Sequence, residues 1–90
     1  MTQPIALPTI HPGGTNAARL RDEYRKVSQL AFDTCDALFD ATCSGLDFYP
    51  QGPEAFQQAL ADRREMLRLL GVVRAYAEAW EARAAEHLRG

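Results

Sequence analysis

The sequence is poor in the features by which chemistry usually announces itself. Among 90 residues there are two cysteines, two histidines and one tryptophan. Cys35 and Cys43 fall in what reads below as one helix, separated by about 12 Å along its axis. A disulfide needs Cα atoms within about 7 Å, so the two cysteines read as small core residues. They also fall short of a zinc site, because His11 and His87 lie at no finger spacing from them. No metal and no cofactor are expected. No run approaches the roughly 18 apolar residues of a membrane span, and a basic region followed by an apolar leader is missing. A cytoplasmic protein without membrane contact is therefore expected. Basic excess is missing too: ten Lys and Arg against twelve Asp and Glu give a formal charge of −2, which disfavours duplex nucleic acid as a partner. There is no His-Glu-x-x-His run and no nucleophile elbow, and the carboxylates are spread as solvated faces rather than as an inward pair. No catalytic residue is assigned and no enzyme is expected. His87 reads as the ordinary complement of a negative helix end.

What is present is an ordinary globular balance, 47% hydrophobic and 24% charged, in a chain long enough for one small domain. Such a chain buries roughly 60–65% of its unfolded surface, so self-association is a strong expectation. Residues 1–14 carry Pro4, Pro8 and Pro12 and end in Gly13-Gly14. That excludes helix and predicts an extended arm, whose Ile5, Leu7 and Ile10 pack in part on the helices or on a neighbouring subunit. Residues 15–90 form the helical domain.

The first helix is predicted over about 16–43, capped by Thr15 or Asn16. Leu20, Tyr24, Val27, Ala31, Cys35, Leu38 and Thr42 recur at spacings of three and four on one face, and Phe32 and Phe39 form a second stripe beside them. Ser44, Gly45, Asp47, Pro50 and Gly52 break the pattern, and Pro53 opens a second helix over about 53–88. Its core series is Phe56, Ala59, Met66, Leu70, Val73, Ala77, Trp80 and Ala84, with heptad-like spacing from Met66 onward. Gly71 interrupts it, and the reading is that a neighbouring backbone passes close there. Helix one runs from arginines to aspartates and helix two from Arg63, Arg64 and Arg68 to Glu78, Glu81 and Glu86, so folding back places opposite signs side by side. This selects an antiparallel hairpin. Two helices cannot cover both wide stripes, so the fold class is all-α: a helical hairpin with an extended N-terminal arm, packed into a homo-oligomeric bundle.

Three places carry candidate ligand-binding residues. In the first, His11, Gly13, Gly14, Thr15 and Asn16 precede a helix start whose exposed amides suit a phosphate or carboxylate; the same letters also describe a hinge and an ordinary cap. Phe48 and Tyr49 in the connecting turn form the second, and they either present a stacking surface or plug the hairpin tip. Arg63, with Arg64 beside it, is the third. An arginine on an apolar face needs a carboxylate, a backbone carbonyl or a bound anion as partner; Asp36 or Asp40 supplies the ordinary one, and a phosphate the functional one.

The Gly-Thr helix start, the turn Asp47-Phe48-Tyr49-Pro50-Gln51-Gly52 and the following Phe56-Gln57-Gln58-Ala59 resemble a group of small bacteriophage and prophage proteins. The resemblance covers roughly residues 10–80 and implies a phage origin and a helical hairpin. In architecture the chain also looks similar to the oligomeric phage sponges that sequester nucleotide signals of bacterial immunity. It implies a non-enzymatic counter-defence protein that binds a cyclic dinucleotide or cyclic ADP-ribose without turning it over, with phosphate on the helix start and arginines and the base on Phe48 or Tyr49. The alternative is a helical protein-binding module that inhibits or assembles a host or phage complex, such as a host defence protein.

Overall fold

The computed structural model describes residues 5–90, in which three helical elements follow one another: α1 (Ala17–Asp40), a 3-10 helix (Gly45–Gln51) and α2 (Pro53–Arg89). Pro4 and the start of the expected arm lie outside the described residues. Residues 5–16 contain neither helix nor strand, and the Pro8 carbonyl accepts from Arg83 Nη1 at 3.3 Å, which ties the arm to α2.

Asn16, not Thr15, caps α1: its Oδ1 accepts from the amides of Ala18 at 2.8 Å and Arg19 at 3.2 Å. The helix ends at Asp40 instead of continuing to 43, because Ala41 is extended, with φ −65° and ψ 140°. The carbonyls of Phe39 and Ala41 are taken by the Arg63 guanidinium, which places a positive charge at the negative end of the helix. Cys43 consequently sits in the connection. Both thiols are free and half-buried. Ser44 caps the 3-10 helix by accepting from the Leu46 amide. At Gly52 the chain takes φ 98°, a left-handed turn that a Cβ would strain, and Pro53 then starts α2 as the sequence predicts.

The two long helices pack antiparallel. Tyr24 stacks on Trp80 with ring centroids 4.5 Å apart and planes within 10°, Arg25 pairs with Glu81 at 2.9 Å, and Phe48 meets Phe56 at 6.1 Å to close the tip. The buried residues among those described are all alanine: Ala17 and Ala31 on α1, Ala77 and Ala84 on α2. Within each helix they are separated by whole heptads, so the seam is a small-residue line along which the backbones approach closely. Four positions assigned to the core by spacing are not in it. Val27, Met66 and Val73 are 40–47% exposed, and Thr42 lies exposed beyond α1. Ser28, Leu67 and Arg74 are half-buried instead. Each helix carries an apolar arc wider than one neighbour covers, and the alanine line, which permits the closest approach, decides which part turns inward. Arg74 lies 4.7 Å over the Phe32 ring, so its guanidinium shields an aromatic that is otherwise left on the outside.

The charge order operates in one half only. Among the described residues Arg25–Glu81 is the ion pair between helices; in the half nearer the tip, Arg68 pairs with Glu65 of its own helix. Arg63 meets helix-end carbonyls and not Asp36 or Asp40, because the end of α1 brings unpaired acceptors closer than a carboxylate. The expected close neighbour at Gly71 is absent among the described residues: a Cβ built there meets nothing within 4 Å. The hairpin measures 61 × 27 × 18 Å, with a radius of gyration of 18.6 Å against about 12 Å for a compact chain of this length. No helix among the described residues is long and apolar enough to cross a membrane.

Candidate functional site

The candidate residues are distributed over the length of the hairpin. At its open end a recess of about 410 Å³ is lined by His11, Gly14, Thr15 and Asn16 with His87 and Leu88 of α2. The arm, the start of α1 and the end of α2 meet here, which joins both histidines of the chain in one place. The glycines do not form an open cradle, however. A Cβ on Gly14 would lie 3.0 Å from His11 Nε2, and one on Gly13 3.4 Å from the same ring, so the imidazole packs against both glycines. The Gly14 amide donates to the His11 carbonyl at 3.0 Å, and two of the first free amides of α1 are already held by Asn16. The cap and hinge are thus realised in this geometry.

At the opposite end Phe48, Phe56, Gly45 and Gln57, with Tyr49, line a smaller recess of about 320 Å³. Phe48 is half-buried against Phe56 and plugs the tip, whereas Tyr49 is 82% exposed. The two aromatics of the turn therefore divide the two roles offered by the sequence. Arg63 lies on the body of the hairpin with its guanidinium committed to Phe39 and Ala41. Arg64 is exposed. The helix-start residues and the aromatic turn stand at opposite ends of α1, which is about 36 Å long over its 24 residues. One chain does not bring its helix-start residues and its aromatic turn to a single ligand. No group of three or more metal-ligating side chains occurs among the described residues.

The electrostatics belong to structure rather than to a reactive centre. Burial pushes the Tyr24 phenol above its ordinary value, with the neighbouring Tyr76 adding to the shift. Hydrogen bonds from Arg21 and Arg68 hold Asp22 and Glu65 below theirs, and the bond to Glu81 raises Arg25. Each is a group kept in its usual charge state at neutral pH, not poised to exchange a proton. The Trp80 indole N–H is buried without a hydrogen-bond partner among the described residues.

The surface that spacing alone misplaced is the apolar flank. Arg25–Glu81, Ser28–Glu78 and Arg74 over Phe32 mark one side of the seam. At about 100° of turn per residue, Val27 and Leu30 of α1 and Met66, Leu69, Val72, Val73 and Tyr76 of α2 fall on the other side. Each is 40–54% exposed. The sequence carries a signal for it, since Leu69 and Tyr76 repeat a heptad in a second phase beside the alanine seam. Compared with known proteins, the chain matches no family model, no curated protein and no solved structure.

Proposed function

We propose that the chain is a non-catalytic helical interaction module that binds protein through its apolar flank and works as a homo-oligomer. The observation that carries this reading is unsatisfied apolar area. The chain exposes 6919 Å², whereas a compact protein of 10.0 kDa exposes about 5,200 Å². The excess on this one chain is about twice the roughly 800 Å² that a standard interface removes from each partner, and most of the exposed aliphatic side chains of the two long helices gather on one flank. A phage setting, with a host or phage complex as the target, is part of this proposal. Sedimentation equilibrium at micromolar concentration tests it: the expected mass is at least twice that of the monomer, and Leu30→Glu lowers it with helicity retained. A compact monomer whose melting temperature is independent of concentration refutes it.

A second reading is favoured by the open-end recess, whose size suits a small ligand and which gathers His11, Gly14, Thr15 and Asn16. In that reading the oligomer sequesters a nucleotide-type signal, and the stacking group, Phe48 or Tyr49, comes from another copy. Calorimetry against cyclic dinucleotides, cyclic ADP-ribose isomers and their linear forms decides it. Binding lost in Tyr49→Ala supports sequestration; no heat at tens of micromolar removes it.

A further inference from the structure

Along the outward flank of α2, residues seven apart form one line: Asp62, Leu69, Tyr76 and Arg83. Two apolar residues are framed by charges of opposite sign, so the line read backwards is complementary to itself. Asp62 and Arg83 share a midpoint between Val72 and Val73, and Leu69 and Tyr76 share the same one. Those two valines are themselves 53% and 45% exposed. The charges at the ends are available. Asp62 accepts from Gln58 at 2.7 Å and Arg83 donates to the Pro8 carbonyl, yet neither forms an ion pair among the described residues. The nearby Glu65 is already held by both nitrogens of an Arg68 fork.

We propose that a second copy of this chain covers the flank with its α2 antiparallel, about a two-fold axis passing between Val72 and Val73. The proposal rests on the reading of the flank as an interface and names its occupant and register. Asp62 then faces Arg83 of the partner subunit and Leu69 faces the partner's Tyr76. A two-fold makes each pair occur twice, as a self-complementary interface requires. Parallel pairing in register sets Asp62 against the partner's Asp62 and Arg83 against the partner's Arg83, which the charges oppose. The contact runs about 32 Å along the helix. The same register sets His87 against Gln58 of the partner subunit. Two ends that are far apart in one chain, the His11–His87 recess and the Phe48–Tyr49 tip, thereby become neighbours across the axis.

The test is sedimentation equilibrium on the full chain with Asp62→Arg, Arg83→Asp, both together, and Val72→Glu, with helicity checked by circular dichroism. Each single reversal places like charges at both ends and is expected to weaken the dimer by about tenfold. The combined variant restores the pairs with signs exchanged and returns to within about threefold of the parent. Val72→Glu, at the axis, abolishes association. Single reversals without effect, or a combined variant no better than either, overturn the register. If Val72→Glu breaks the dimer while the charges fail to rescue, only the register falls. If Val72→Glu leaves association intact, the flank is not the interface and the reading beneath falls with it.

Discussion

Gly71 stands at the middle of α2, where fraying cannot hide an effect, and the structure reverses the sign that its position in the sequence suggests. Replacing it with alanine removes the backbone entropy that glycine loses on helix formation, worth about 0.8–1.0 kcal/mol. The opposing term is steric. A methyl group there has open space to 4 Å, so that term is close to zero. Gly71 lies on the Arg74 and Glu78 side of the helix, away from Val72 and Tyr76, so a copy docked on the apolar flank does not reach it. For a chain of this length about 1 kcal/mol corresponds to a rise of roughly 4–8 °C in melting temperature. Thermal unfolding followed at 222 nm, parent and Gly71→Ala at matched concentration because association shifts the midpoint, reads it directly. Urea unfolding should show a higher midpoint with an unchanged slope. A fall in melting temperature refutes the reasoning and means that a backbone passes close to Gly71 in the assembled protein.

Arg63→Ala removes a charged donor from two carbonyls at the end of α1 and is expected to destabilise by about 1–3 kcal/mol. Arg63→Lys, which cannot fork, recovers part of that in the same urea titration. If instead Arg63 serves a ligand, Arg63→Ala leaves stability unchanged. Ala77→Leu pushes a larger side chain into a seam position that is fully buried and is expected to cost about 1–3 kcal/mol; a stability equal to the parent's means that the helices are not in close contact there.

Much of the fold is written in local chemistry. Pro53 and the Ser44–Gly52 cluster locate the turn, and Asn16 locates the start of α1, because caps and breakers act on their own few residues. Residues that depend on a distant segment are less legible. Whether Val27 or Ser28 turns inward follows from how closely two backbones approach, and that is set by alanines on both helices together. For Arg63 a carboxylate, a carbonyl and an anion are all open to the sequence reading, which favours Asp36 or Asp40 because a carboxylate is the partner visible in sequence. Its actual partners are carbonyls, which every residue possesses and which become acceptors only where a helix stops. The candidate ligand groups show the same limit. Each segment has the right letters, but their separation is fixed by the length of α1, which spacing within a single motif does not report.

The slender outline of the hairpin governs how it moves through solvent. A rod 61 Å long meets more drag than a sphere of equal mass, so the monomer leaves a sizing column early and is mistaken for something larger. Pairing two such rods side by side about an axis near the middle of α2 thickens the particle while adding little to its length. Mass doubles but friction rises much less, so sedimentation velocity climbs steeply on association while elution volume changes little. The shape that makes chromatography misleading is also what makes the ultracentrifuge a sensitive reporter of the paired state.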